Sequence, residues 1–303
     1  MSLKALTLKD KNLFRKYLNL EKHALAVYAF ENIYIWKKFF DIRWAVINDN
    51  LCVFFRDSIG CFLYLSPLAR KVNPAVIEQV FRVMSVENKN PSLAHIENIE
   101  EREVALYQSL GYEVKERSCD YLCRRADLAF LKGEAFKHKR AASNHFTKHY
   151  CYEYFPYTER FAEDCLALHE YWKKQRMQDH MDPLYRGMLE DSGLSFKSFL
   201  DNYAHFNCVG RIVKVDGRVC GFSFGYPLNS QTFCILFEIT DLSIKGLAQF
   251  IFREFCSELK EYTYINIMDD SGLENLKKVK MSYRPIKLIP SYTARKKHDQ
   301  AYR

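Results

Sequence analysis

Three polar clusters interrupt apolar stretches in the second half of the chain, and each carries residue types suited to group transfer. The first closes the run QTFCILFEITD, where Glu238 and Asp241 are followed by Lys245 and Gly246 at what reads as a helix start. The first amides of a helix lack intrahelical partners, so a strand end meeting a helix N-terminus suits an anionic ligand. Asp241 or Ser243 can equally cap that helix. The second is NIMDDSG, where Asn266 sits inside a Tyr- and Ile-rich strand and Asp269 and Asp270 follow it. A polar side chain in such a strand needs a partner. Neighbouring Asp residues on a strand point to opposite faces, so one is placed to orient an amine or base and the other to cap the next helix. The third is LKKVKMSYRP, in which Lys277, Lys280 and Arg284 suit a phosphate or carboxylate and Tyr283 can donate a proton. A solvated helix with Val279 buried accounts for the same pattern.

Other chemistries find less support. There is no phosphate loop of Walker type and no dinucleotide fingerprint. Ser223 in GFSFG has flanking glycines but lies inside a strand, without the strand-to-helix turn of a nucleophile elbow. No metal centre is expected: no His stands near Asp269 and Asp270, and the nine His show no ligand spacing. His138, His145 and His149 share part of one helix face as surface or linker residues. The ten Cys include no CxxC, and Cys52, Cys61, Cys208, Cys220 and Cys234 fall in apolar strand-like segments, as buried thiols of a reducing compartment do.

The elements that must position these clusters can be read from period and punctuation. Residues 11–40 carry apolar side chains at three- to five-residue spacings and read as helical. Three short strands follow, with breaks at Asn48-Asp49-Asn50 and Asp57-Ser58-Ile59-Gly60. Asn73 and Pro74 open a helix over 74–86. AHIENI is a strand, and a short helix ending at Gly111 leads into another. A basic helix over 133–150 joins the halves. The second half then gives helices from about Glu159 to Arg176 and around 195–205. A hairpin about Asp216-Gly217, a third strand, the helix KGLAQFIFREFCSELKE, the strand YTYINIMDD, the helix GLENLKKVKMS and a returning strand complete it. Both halves run from an antiparallel meander into helix, strand, helix and strand, which reads as a duplicated unit: an α/β (α+β) protein with mixed sheets flanked by helices, divided as 1–130 and 131–303.

The chain has 303 residues, 48% hydrophobic and 27% charged, enough for two such domains. No apolar run is long enough to span a bilayer, and the N-terminus lacks the apolar stretch of a signal peptide, so a cytoplasmic protein is expected. The net charge of +8 is concentrated in 131–150 and in the tail ARKKHDQAYR. Such patches suit tRNA, phosphate or an anionic membrane surface, or simply keep a face solvated.

Taken together, DLAFLKGEAFKHKRAASNHF (127–146), VDGRVCGFSFGYPL (215–228), FEITD with KG (237–246), INIMDDSGLENLKKVKMSYRP (265–285) and KLIPSYTAR resemble the C-terminal catalytic domain family of phosphatidylglycerol lysyltransferases, in particular its small stand-alone bacterial members. That resemblance implies tandem acetyltransferase-like (GNAT) acyltransferase domains, and ALYQSLGYEV (105–114) resembles the end of one such unit. It implies transfer of an activated amino acid, with aminoacyl-tRNA as donor, to a hydroxyl or amine, and no resident cofactor. The alternatives are an acyl-CoA-dependent N-acyltransferase, with Lys245 and Gly246 toward the cofactor, and a non-catalytic binding protein with a degenerate groove. On this reading Asp269, Asp270, Lys280 and Glu238 are catalytic, and Lys139, Arg140, Asp241, Asn266, Tyr283 and Arg284 bind substrate. Lys139-Arg140-Ala141 stands where the family reads KRN, and FEITD and NIMDD each lack one basic residue of the family pattern.

Overall fold

Turn chemistry sets the first elements. In the computed structural model, which describes residues 3–179 and 182–297, Asn48 and Asp49 adopt φ of 44° and 60°. These are the positive φ values a two-residue hairpin needs. They fold strands β2 (Asp41–Ile47) and β3 (Asn50–Arg56) antiparallel, with β1 (Lys4–Ala5) on one side and β4 (Cys61–Leu63) on the other. Asp57 accepts hydrogen bonds from the amides of Ile59 and Gly60 in the β3–β4 turn. Helix α3 (Pro74–Glu87) is capped by Asn73, which accepts from the Ala75 amide at 3.0 Å. Beyond it come β5 (His95–Glu100), α4 (Val104–Ser109) and β6 (Tyr112–Arg124), the last starting past Gly111 at φ 85°.

The helix expected over 11–40 is two helices, α1 (Lys11–Leu18) and α2 (Phe30–Tyr34). Between them the apolar spacing is real, since Leu25 and Tyr28 are buried. Here, however, the Ala24 amide donates to Glu100 at 2.8 Å and the Ala26 amide to Asp120 at 2.7 Å. These carboxylates take the place of helical carbonyls.

The second half continues with α5 (Arg125–Phe130), α6 (Lys137–His149), β7 (Tyr152–Pro156), α7 (Ala162–Asp179) and α8 (Pro183–Asp201). The last is longer than the 195–205 segment expected, because Asp182 caps it and Pro183 occupies its first turn. Strands β8 (Val209–Val215) and β9 (Arg218–Pro227) close about Asp216 and Gly217 at φ 49° and 78°. Then follow β10 (Thr232–Thr240), α9 (Leu247–Glu258), β11 (Tyr264–Asn266), α10 (Glu274–Met281) and β12 (Lys287–Lys296).

By contacts the described chain forms two compact units. The first comprises residues 3–120, 269–272 and 288–297, and the second 121–179, 182–268 and 273–287. The break falls at Asp120/Tyr121, inside β6, where the sequence suggested 130/131, and two later segments return to the first unit. In the first unit the strand order is β1-β2-β3-β4-β5-β12, over a core that includes Phe54, Val76, Val80, Phe81 and Tyr107. In the second it is β6-β11-β10-β9-β8-β7, and Phe146, Leu247, Phe250 and Ile251 form the core under α6 and α9. Residues 298–303 of the basic tail lie outside the described residues.

Candidate active site in the second unit

Strand β10 pairs with β9 along its length but with β11 only at its start. The parallel ladder runs Thr232–Tyr264, Phe233–Ile265 and Cys234–Asn266, and stops there. At the same level β10 shifts register against β9 between Ile235 and Phe237. Such a bulge re-aims the following side chains. The ladder ends there because β11 ends, while β10 runs on to Thr240, and the C-terminal ends of parallel strands are where open α/β sheets bind ligands. Glu238 lies in this further stretch of β10. Pleat alternation sends Phe237 toward Phe196 and Phe199, at ring separations of 5.1 and 5.3 Å, and Glu238 to the opposite face.

Glu238 meets groups drawn from four other segments. Ser223, its register partner on β9, donates to its carboxylate at 3.2 Å. Lys139 on α6 places its Nζ 3.7 Å from the centre of the Tyr283 ring, which follows α10 and packs on Phe252 of α9 at 4.5 Å. Cys256 of α9 is fully buried near Glu238. Burial pushes Glu238 up to about 8, against the opposing pull of the Ser223 hydrogen bond and the Lys139 charge. Burial likewise lowers Lys139 to about 8, while Glu238 acts to raise it. Burial, followed by the Glu238 charge, holds the Tyr283 phenol well above its ordinary range. Glu238 and Lys139 are both half-buried.

A carboxyl and an amine that both titrate near pH 8 can exchange protons with a substrate under physiological conditions. The raised Glu238 value also dictates how stability changes with pH. The protonated carboxyl is the form the fold accepts, so its burial costs least below the ordinary value of 4.5. The cost grows as pH rises toward about 8 and is constant above. Glu238→Gln, which cannot ionise, should therefore gain thermal stability relative to the parent chain progressively across that window. Parallel melting curves that stay a fixed distance apart from the lower to the upper limit would refute this assignment.

The remaining predicted residues divide between this cluster and other tasks. Asn266 is buried because its Oδ1 accepts the Met268 amide at 2.7 Å, which turns the chain out of β11 at a Met268 φ of 60°. Lys280 donates to the Ile267 carbonyl at 2.6 Å and lies 6.0 Å from the Tyr121 ring, fixing that same strand end. Arg140 points away from Glu238, donating to the carbonyls of Leu131 and Gly133 in the α5–α6 loop. Asp241 is buried in the turn before α9, accepting from the Ser243 amide and hydroxyl at 3.0 and 2.6 Å and from Arg218 at 3.3 Å. Lys245 is exposed, and Gly246, at φ 87°, packs against the Ala142 carbonyl of α6. Asp269 and Asp270 belong to the first unit. There Asp270 accepts the Gly272 amide at 2.9 Å, and burial, then the charges of Glu97 and Asp269, keep the Tyr64 phenol protonated. Arg284 is exposed.

Ser223 is the site residue the sequence reading passed over. Its signal was a hydroxyl on the small-residue face of β9, between Gly221 and Gly225, in a strand whose other face is Phe222, Phe224 and Tyr226. The first unit has a parallel pair as well, β4 with β5, joined only at Leu63–Ile96. There Asn98, at φ 53°, donates to the Tyr64 carbonyl at 2.9 Å, accepts from Ser291 at 3.2 Å through its side chain, and takes the Tyr28 hydroxyl on its carbonyl at 2.7 Å. Its own side chain thus links the ends of β4 and β5. Among the described residues no three His, Cys, Asp or Glu side chains are grouped to hold a metal ion, and no helix is long and apolar enough to cross a membrane.

Residues 20–295 match the model of a family described as phosphatidylglycerol lysyltransferase, C-terminal. Similar solved structures include a conserved protein of unknown function from Bacteroides thetaiotaomicron VPI-5482, 27% identical, with a TM-score of 0.88 over 98% of this chain and 100% of that one. L-PGS from Bacillus licheniformis is 15% identical, with a TM-score of 0.67 over 96% of this chain and 93% of its own. FemX is 10% identical, with a TM-score of 0.60 over 97% of each chain. No curated protein matches the sequence. The architecture is thus that of tandem GNAT-like domains, with mixed sheets flanked by helices.

Proposed function

Because the chain belongs to the phosphatidylglycerol lysyltransferase C-terminal family, we propose that it is an aminoacyltransferase that draws an activated amino acid from aminoacyl-tRNA and passes it to a hydroxyl or amine. The observation that carries this reading is the convergence of Lys139, Glu238 and Tyr283 where β10 runs on past the end of β11. The acceptor oxygen or nitrogen attacks the ester carbonyl carbon, and its proton passes to the neutral Lys139 amine. The bond from that carbon to the ribose oxygen then breaks, and the departing hydroxyl takes a proton back. Protonated Glu238, held by Ser223, supplies a hydrogen-bond donor for the carbonyl oxygen as charge develops on it. Lys280 and Asn266 act as positioning residues, since their polar contacts hold the end of β11.

The geometry weighs against an acyl-CoA donor. A pyrophosphate would need the N-terminus of α9, and the backbone of α6 already lies against Gly246 there. A tRNA donor also suits the cationic α6 and implies a cytoplasmic reaction. The test is binding of total charged tRNA and, separately, of acetyl-CoA to the purified chain across a salt series. Charged tRNA should bind with an affinity that falls steeply with salt and drops when the aminoacyl group is removed. Saturable acetyl-CoA binding would transfer the protein to the acetyltransferase class. Binding of neither would make it a ligand-binding protein with a degenerate groove.

A further inference from the structure

The first unit carries an open cavity that the transfer chemistry makes no use of. About 560 Å³ in volume, it is lined by Glu97 of β5, Thr293 and Arg295 of β12, and four residues of β6 from Glu113 to Arg117. All of them belong to the first unit, and β5, β12 and β6 are neighbours in that order. Small-molecule sites span roughly 300–1,000 Å³, and this one falls inside that range.

Ile96, Ala294 and Tyr112 point into the core with Val76 and Val80 of α3. Pleat alternation therefore sends Glu97, Thr293, Arg295, Lys115 and Arg117 to the opposite face. A bulge adjusts the arrangement: Glu97 and Asn98 of β5 stand opposite Thr293 alone, and Asn98 takes φ 53°. The extra residue re-aims its neighbour. Thr293, small and flanked by longer side chains on both sides, leaves the hollow.

Glu97 reaches across that hollow to Arg117, an ion pair that passes over β12, and His95 holds it from its own strand through Nε2 at 3.1 Å. The His95 ring is fixed in turn, its Nδ1 on the Leu93 carbonyl at 2.6 Å and its plane stacked on Phe62 at 5.0 Å. Burial acts to raise the Glu97 carboxyl, but the His95 hydrogen bond and Arg117 outweigh it and hold the group below its ordinary range. Glu97 thus stays charged although its side chain is only 14% exposed. Both contacts fall on Oε1, which leaves Oε2 to a ligand.

Three acidic and three basic side chains line the cavity, so it favours neither a polyanion nor a polycation. A ligand that suits it carries both signs. Two pairs are closed internally, Glu97 with Arg117 and Glu113 with Lys115 at 2.7 Å. Arg295 is exposed and has no ion pair among the described residues. It is the register partner of His95, which makes it a diagonal neighbour of Glu97, within reach of a long side chain.

We propose that this cavity binds a free α-amino acid, with its ammonium on Oε2 of Glu97 and its carboxylate between the Arg295 guanidinium and the Thr293 hydroxyl. A guanidinium offers paired N–H donors that match a carboxylate, and a fixed carboxylate is a strong acceptor for an ammonium. A phosphate monoester in place of the carboxylate would bring a second negative charge toward Glu113 and Glu116 of the same lining. The remaining volume takes the side chain of the ligand. The site lies in the first unit alone, so it stands or falls apart from the aminoacyltransferase reading.

The experiment is a melting-temperature screen of the full chain against the standard free amino acids, with calorimetric titration of those that stabilise it. At least one should bind saturably and raise the melting temperature. Its N-acetyl derivative, which lacks the ammonium, and its amide, which lacks the carboxylate, should each bind about tenfold more weakly or worse. Glu97→Gln should lose a similar factor for the amino acid but not for the N-acetyl derivative. Arg295→Gln, a change at an exposed side chain, should lose it for the amino acid but not for the amide. A merely structural effect does not produce that crossed pattern. Absence of saturable binding by every amino acid would overturn the proposal. So would an N-acetyl derivative or amide that binds like the amino acid itself, or an Arg295→Gln chain with undiminished affinity.

Discussion

Replacing Lys139 by Met should reduce aminoacyl transfer by roughly a hundredfold to ten-thousandfold, the range associated with removal of a general base. The binding constant for charged tRNA should change only a few-fold. An anchoring role and a proton-accepting role differ in what rescues them. Lys139→Arg keeps the charge over the Tyr283 ring but cannot shed a proton at any accessible pH, so it should be as inactive as the Met variant. In the parent chain the rate should rise with pH to a maximum near 8, as the Lys139 amine loses the proton that burial already loosens, and fall above it as Glu238 loses the proton it donates. If the arginine variant works, or the profile is flat through that range, Lys139 is an electrostatic anchor and the base lies elsewhere.

Sequence reading reached some of these residues because their types violate their surroundings. Glu238 in an aromatic strand and Asn266 in an isoleucine-rich one are conspicuous, and both proved to have specific partners. Hairpins were legible at Asn48-Asp49 and Asp216-Gly217 because positive φ restricts the residue choice, and helix α3 was legible from Asn73-Pro74. What escaped depends on pairs far apart in sequence. Only the register of β9 against β10 makes Ser223 the partner of Glu238, and only Glu100 and Asp120 keep residues 24–26 from being helical. The same limit applies to Asp269 and Asp270. Adjacent to Asn266 in sequence, they read as part of its cluster, but the chain turns at Met268 and gives them to the first unit.

Gly246→Ala should destabilise the protein by about 3–4 kcal/mol, from a left-handed φ forced on a side chain and an overpacked contact acting together. A Cβ there would fall 2.1 Å from the Ala142 carbonyl oxygen, and a helix backbone cannot step aside as a flexible side chain can. The effect should reach chemistry as well. Lys139 lies three residues before Ala142 on α6, so any shift that admits the methyl displaces the amine from the Tyr283 ring. Gly217→Ala is the control: it carries φ 78° with nothing within 4 Å, so it should cost only about 1 kcal/mol. Chemical denaturation that gives the two variants similar midpoints would mean α6 and α9 are less tightly opposed than this.

The strand that completes the first unit is made after the second. Residues Ser291 to Arg295 of β12 pair with Glu100 to His95 of β5, so during synthesis that edge of β5 waits unpaired until the whole intervening unit has left the ribosome. A nascent chain stalled before β12 would therefore present an open strand edge to its neighbours, an invitation to aggregate. In the second unit β6 also waits, for β11, but that interval is shorter and the elements from β7 to β11 follow one another closely. Vectorial folding would then favour the second unit, with the first unit closing last.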